Sequence, residues 1–269
     1  MKKYKVGIIG LGYVGGALRY WFEKKRKPKV ELFLYDKYKK IGSVDEVNKA
    51  DVIFISVPTP YNEGEGYDDS AVIESLKNLK SSKIVVLKST IIPGSTERFQ
   101  KKFPKHKILF NPEFLRAKTA NADFIKPERQ IVGFTRKSKK FARDVLSLLP
   151  KAPFSKTMPA TEAETVKYFG NAFLSTKVVF ANQIYDLCEK LKIDYDTIKE
   201  AVGLDKRIGP SHLDIFHFGY RGYSGGCFPK DVKAFIDFAK RSGSRSRLLE
   251  MVDGINEELI KSNRKQRKS

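Results

Sequence analysis

Apolar, β-branched runs punctuate the first half of the chain at residues 5–9, 31–35, 52–56, 84–87, 108–110 and 130–133, with helical or turn-rich stretches between them. Strands alternating with helices in this way predict a mostly parallel sheet covered on both faces, a Rossmann-like doubly wound α/β fold. From about Thr161 the period changes. Val166, Phe169, Phe173, Thr176, Phe180, Ile184 and Leu187 recur every three or four residues with no proline between them. That spacing predicts one helix over 161–190, about 45 Å long. Val178, Ala181 and Tyr185 form a second apolar face beside this main stripe, more than a single contact within one chain requires. A further helix is expected from an N-cap at Asp194 to a C′ glycine at Gly203, and two more over 230–241 and about 245–261. The chain therefore reads as an α/β domain over 1–152 followed by an all-helical domain over 153–269 built on one long central helix. Pro150, Pro153 and Pro159 cluster at the join.

Composition narrows this picture without changing it. The 269 residues are 41% hydrophobic and 31% charged, a balance typical of a folded protein with a real core. No apolar run approaches the ~18 residues of a membrane helix, and the basic start of the chain lacks a signal-peptide pattern. A cytoplasmic protein is expected, and its 2 cysteines cannot build a disulfide framework. Net charge is the outlier at +21, from 52 Lys+Arg against 31 Asp+Glu. The excess lies in short clusters at 24–29, 37–40, 136–140 and 261–268 rather than on one helix, so a solvated basic surface is expected and a nucleic-acid partner is not.

The first strand runs directly into Gly10-Leu11-Gly12-Tyr13-Val14-Gly15, where a helical pattern opens. The first glycine permits the tight turn, the second lets a pyrophosphate approach the backbone, and the third allows close helix–sheet packing. Asp36 ends the second strand about twenty residues later, where an acid accepts hydrogen bonds from a ribose diol and repels a 2′-phosphate. NAD is the expected cofactor, although the neighbouring Lys37 softens the discrimination against NADP. No metal site is expected.

Cys227 stands in Tyr223-Ser224-Gly225-Gly226-Cys227-Phe228-Pro229-Lys230-Asp231, a glycine-rich loop that ends where a helix begins. Pro229 suits a first helical turn, and Asp231 sits near the positive end of the helix dipole. A thiol in that place is activated as a thiolate, or it is a small buried residue beside a capping acid; loop and cysteine alone leave the two readings even. Cys188, within the long helix, reads as packing. Lys167 and Asn171 project together from the long helix at i and i+4. Together they suit stabilisation of an oxyanion, or they are a snorkelling lysine and a surface amide.

Several further segments share an order with these motifs: Val57-Pro58-Thr59-Pro60, Lys88-Ser89-Thr90, Asn111-Pro112-Glu113-Phe114-Leu115, Lys167-Tyr168-Phe169-Gly170-Asn171 and Arg207-Ile208-Gly209. With the glycine turn and the cysteine loop they resemble the UDP-glucose/GDP-mannose dehydrogenase family over nearly the whole chain, and most of all its UDP-glucose branch. The resemblance implies NAD-dependent, four-electron oxidation of the C6 hydroxyl of a UDP-sugar, UDP-glucose to UDP-glucuronate, through a cysteine thiohemiacetal and thioester. It assigns catalysis to Cys227, Lys167, Asn171, Asp231, Glu113 and Thr90. Lys167 and Asn171 would stabilise oxyanions, Asp231 would assist proton transfer, and Glu113 with Thr90 would position the hydrolytic water. Cofactor binding falls to Gly10, Gly12, Tyr13, Val14, Gly15, Asp36, Val57, Pro58, Thr59 and Thr90. Substrate contacts fall to Glu113, Phe114, Leu115, Lys167, Asn171, Arg207, Gly225 and Cys227. The family's counterpart of the long helix forms a dimer core, so a homodimer is expected.

Three features depart from the family pattern. Ala117 occupies a position where the family usually has a second acid. The segment between Arg207 and Cys227, with His212, His217, Tyr220 and Arg221, is longer than in most relatives. The sequence also stops after the helical domain, where typical members continue into a second α/β domain that closes over the nucleotide. Two other functions stay open on these grounds: a non-catalytic dinucleotide- or polyanion-binding protein, and a related GDP-mannose or UDP-aminosugar dehydrogenase.

Overall fold

The computed structural model describes residues 4–26, 30–217 and 219–266. It divides into two compact units, 1–167 and 168–269.

The first unit is built on an eight-stranded sheet. Its strands are β1 (Tyr4–Ile9), β2 (Val30–Asp36), β3 (Ile41–Gly42), β4 (Val52–Ile55), β7 (Ile84–Leu87), β8 (Lys107–Phe110), β9 (Arg129–Phe134) and β10 (Phe154–Pro159), while β5 (Tyr61–Asn62) and β6 (Gly66–Tyr67) form a separate small hairpin. The order is β10-β9-β8-β7-β4-β1-β2-β3. The five strands β8, β7, β4, β1 and β2 run parallel. β9 and β10 are parallel to each other and antiparallel to β8. The helices are α1 (Tyr13–Lys25), α2 (Val44–Val47), α3 (Ser70–Lys77), α4 (Ser95–Lys102), α5 (Ala120–Ile125) and α6 (Ala142–Leu148).

Strand alternation sends successive side chains to opposite faces. Val6, Ile8 and Phe54 pack in one apolar cluster with Leu18, Phe22 and Leu148. Ile53, Ile55 and Leu87 pack in the other with Val72, Leu76 and Phe99. The sheet is thus covered on both faces, as the sequence pattern predicts.

The six expected strands appear with ends shifted by a residue or so, with two-residue β3, β5 and β6 as short additions and β10 as a longer one. It falls in the proline-marked stretch, and most of its residues are exposed, so its sequence carries no apolar alternation.

Helix α7 (Ala160–Leu191) begins in the first unit and continues into the second. Its start lies against β9 at Gly133, where an added Cβ would come within 2.8 Å of the Ala163 Cβ and 2.9 Å of the Ala160 Cα. Glu164, fully buried, accepts hydrogen bonds from the Gly94 and Thr96 N–H groups at 2.6 and 2.8 Å, and so caps α4.

The second unit comprises the rest of α7, α8 (Tyr195–Gly203), α9 (Phe228–Arg241) and α10 (Arg247–Gln266). Asp194 is the N-cap expected of it, accepting from the Asp196 and Thr197 N–H groups. Gly203 is not a C′ residue. It is the last helical position, followed by Leu204 in a right-handed conformation. Its value is space, since a Cβ there would lie 3.2 Å from the Pro210 Cα.

The two apolar faces of α7 differ in burial. Val178 and Ala181 of the secondary face are buried with Val179 and Cys188, whereas Phe169, Phe173, Phe180 and Leu187 of the main stripe are 68%, 61%, 60% and 50% exposed. Small side chains let neighbouring elements approach closely, so the less bulky face forms the core of the unit.

Candidate functional site

In the first unit, the glycine turn links β1 to α1 at the carboxyl edge of the parallel strands. Gly10 has φ +84°, and a Cβ on it would meet the Ser56 carbonyl oxygen at 2.6 Å. A Cβ on Gly15 would lie 1.9 Å from the Gly10 carbonyl oxygen, so this glycine lets helix and turn pack. Nothing lies within 4 Å of the same position on Gly12, which leaves the backbone open to a ligand. Beside the turn is a cleft of about 430 Å³, lined by Gly10, Gly12, Asp36, Tyr38, Val57 and Pro58 among others. Tyr13, Val14, Gly15, Thr59 and Thr90 do not line it. Thr59 instead donates to the Thr90 carbonyl at 2.7 Å, and Ser89 to the Val57 carbonyl at 2.7 Å, so two loops at the strand ends are stitched together.

The Asp36 carboxylate ends β2 and is buried, accepting from the N–H groups of Leu11 (2.7 Å), Tyr38 (3.0 Å) and Lys39 (2.8 Å). Burial pushes its pKa up, but the donors from Lys39, Leu11 and Tyr38 outweigh this and hold it below the ordinary value. Lys39 reaches back to donate to the Leu11 carbonyl at 2.6 Å. An open Gly12, a helix N-terminus and an ionised acid at the end of β2 together fit the pyrophosphate and ribose of a dinucleotide.

A second group of polar side chains in the same unit gathers around Glu113, in the loop after β8. The Lys167 ammonium donates to Glu113 Oε1 at 2.7 Å, with both side chains largely buried. Glu113 Oε2 accepts the Leu115 N–H at 2.8 Å, so that backbone group is already engaged within its own turn. The Arg129 guanidinium lies 3.9 Å from the Phe114 ring centroid, and the Lys167 ammonium 5.9 Å. Burial raises the Glu113 pKa, but the charge and hydrogen bond of Lys167, the Leu115 N–H and the charge of Lys88 bring the net value below the ordinary one.

In the second unit, Cys227 is the N-cap residue of α9, with its thiol exposed and its carbonyl accepting the Asp231 N–H at 3.0 Å. Pro229 falls within the first helical turn. Asp231 is 2% exposed, and its two oxygens accept from Asn171 Nδ2 and the Lys230 ammonium, each at 2.5 Å. The loop ahead of the cysteine is held by a residue that sequence reasoning missed. Asn256, buried on α10, accepts the Tyr223 N–H at 2.7 Å and donates to the Tyr223 carbonyl at 3.0 Å. Gly222 passes so close that a Cβ would sit 2.6 Å from the Asn256 Oδ1. Gly225 has φ +85° and is exposed. The Arg207 side chain is 89% exposed and paired with Asp205 at 2.6 Å, outside both polar groups. The side chains of Ala117 and of residues 263–266, and residues 27–29 and 267–268 of the basic clusters, lie outside the described residues.

Two family models match the chain. Residues 22–149 match the NAD binding domain of the UDP-glucose/GDP-mannose dehydrogenase family, and residues 161–258 match its central domain. The sequence is 35% identical to a UDP-glucose 6-dehydrogenase of Rhizobium meliloti over 78% of this chain and 51% of that protein. It is 38% identical to one from Pseudomonas aeruginosa over 77% and 48%. A solved UDP-glucose dehydrogenase from Pyrobaculum islandicum superposes with a TM-score of 0.83 at 30% identity, covering 95% of this chain and 68% of that one. The chain belongs to the UDP-glucose/GDP-mannose dehydrogenase family. NAD is accordingly the cofactor of its first unit. The chain spans about half the length of the curated relatives it matches. Among the described residues, no helix is long and apolar enough to cross a membrane.

Proposed function

We propose that this family member takes part in oxidising the C6 hydroxyl of a UDP-sugar to a carboxylate, with UDP-glucose the first substrate and UDP-glucuronate the product. The observation that carries the reading is the exposed Cys227 thiol at the N-terminus of a 14-residue helix, where the dipole favours a thiolate. The names of the curated relatives support UDP-glucose as the sugar nucleotide.

NAD, when bound, supplies the hydride acceptor for each of two oxidation steps. Gly10, Gly12 and the start of α1 would hold its pyrophosphate, and Asp36 its ribose, with Tyr13, Val14, Gly15, Val57, Pro58, Thr59 and Thr90 shaping the surroundings. Lys167 and Asn171 would stabilise negative charge on the C6 oxygen. The Cys227 thiolate would add to the C6 aldehyde carbon to form a thiohemiacetal. Loss of a second hydride and a proton gives a thioester, and water releases the carboxylate and regenerates the thiol. Asp231 would handle protons near the thiol, and Glu113 with Thr90 would orient the attacking water. Phe114, Leu115, Gly225 and Arg207 would contact the sugar nucleotide. A cytoplasmic setting suits this chemistry, because Cys227 must stay reduced.

The expected yield is two NADH per molecule of UDP-glucose consumed, measured by absorbance against a panel of UDP-, GDP- and ADP-sugars. One NADH per sugar would replace the thioester route by a simple alcohol dehydrogenase. None with any sugar would leave a non-catalytic dinucleotide-binding protein.

We further propose a homodimer through α7. Phe169, Phe173, Phe180, Leu187 and Leu191 lie 50% or more exposed along this single helix, an apolar stripe longer than monomers usually leave in water. Sedimentation should give twice the mass of the chain, and Phe173→Glu with Phe180→Glu should halve it. A single-chain mass for the unaltered protein would sink the proposal.

A further inference from the structure

The parallel register of β7 and β8 pairs Leu87 with Phe110, so the next residues, Lys88 and Asn111, emerge side by side at the carboxyl edge of the sheet. The Lys88 ammonium donates to Asn111 Oδ1 at 2.6 Å and approaches the Asn111 carbonyl at 3.3 Å. The orientation of the amide is fixed from its other side, because Asn111 Nδ2 donates to Gln130 Oε1 at 2.9 Å and to the Ile131 carbonyl at 2.6 Å on β9. Lys88 is 2% exposed and Asn111 is fully buried.

An ammonium sealed in this way is costly unless a carboxylate accompanies it. Among the described residues, Lys88 makes no salt bridge; the charge of Glu113, in the loop after β8, favours its ammonium form, that of Lys167 on α7 opposes it, and the Phe124 ring of α5 stands 5.5 Å away. Asp123 on α5 is taken by Arg116 at 2.8 Å. Glu113 therefore feels two ammonium groups, Lys167 in direct contact and Lys88 through its charge alone.

We infer that Lys88 is a positioning residue of the candidate site, anchoring the Asn111 turn from which Glu113 projects and supplying the second positive charge that governs the Glu113–Lys167 pair. The inference rests on the proposed site role of that pair. It adds a group to the site that the motif assignments leave out. Supporting it, burial and the nearby Lys167 push the Lys88 pKa down to about 7 against the upward pull of Glu113, so the second charge is lost near neutrality.

The test is NMR titration of the full chain without substrate, so that an inactive protein leaves it intact. Glutamate is labelled at the carboxyl carbon and lysine at Cε. The Lys88 signal should titrate near pH 7, and the Glu113 signal should move with the same midpoint. In Lys88→Met the Glu113 step should vanish while its resonance stays below the ordinary titration range, held there by Lys167. In Lys88→Arg the step should also vanish, because the charge is permanent. A Glu113 step that persists in Lys88→Met overturns the inference. If that variant does not fold, midpoints for Lys88 and Glu113 that differ in the unaltered protein overturn it, and coincident midpoints uphold it.

Discussion

Cys227→Ser is expected to cut uronate formation by at least about 1,000-fold, the scale on which loss of a covalent nucleophile acts. The physical reason is acidity. A thiol at a helix N-terminus is partly ionised at neutral pH, whereas a serine hydroxyl in the same place is not, and the α9 dipole cannot make up the difference. The first oxidation needs no sulfur, so the variant should release one NADH per turnover at most and leave an aldehyde or its hydrate. Measurement of NADH stoichiometry, with mass spectrometry of the sugar nucleotide, checks this. Cys227 is exposed, so this small change of one atom should leave the unfolding transition within about 0.5 kcal/mol of the parent. Full two-NADH turnover in the variant would remove the thioester from the mechanism.

How much of this arrangement is legible in the sequence depends on whether a feature is local. The parallel strands and the Asp194 cap are local signals, and the structure reproduces them. β10 is not, because Phe154–Pro159 is an edge strand whose side chains are mostly exposed, and its pairing with β9 supplies what its composition does not announce. The faces of α7 illustrate a different limit. Periodicity identifies two apolar stripes, but which one is buried depends on what packs against them, and the bulkier stripe stays outside. At the site, the glycine turn with Asp36 and the cysteine loop with Asp231 are short-range patterns that sequence captures. The partnership of Lys88 with Asn111 follows from strand register, and the hold of Asn256 on the Tyr223 loop spans 33 residues. Neither can be read from spacing along the chain, although both side chains are of types that demand a partner once buried.

Lys167→Met should produce the largest loss of stability among single changes at the site. The substitution keeps most of the buried stem of Lys167 but leaves the Glu113 carboxylate without its contact partner, a change worth about 3 kcal/mol in a buried pair. For a chain of this size that corresponds to a fall in Tm of roughly 6–12 °C. The sign of the pH dependence follows from the Glu113 shift. Its pKa in the folded protein lies below the ordinary 4.5, so its stabilisation is present above that value and is lost as pH falls through the folded pKa. In the variant the remaining burial pushes the same carboxyl upward. The gap between parent and variant should therefore be widest at neutral pH and narrow as pH falls, closing only below the lowered Glu113 pKa of the parent, where both carry a protonated Glu113. Lys88 would respond as well. Relieved of the like charge on Lys167, it should stay protonated to a higher pH and partly take over as counter-ion, which limits the loss. Denaturant unfolding of parent, Lys167→Met and Lys167→Met/Glu113→Gln at pH 7.5 and pH 4 measures all of this. The double variant should recover part of the stability at pH 7.5, since no carboxylate is then left buried and unpaired. A gap that is the same at both pH values would mean that the pair contributes packing rather than charge, and would remove the electrostatic ground for the proposed role of Glu113.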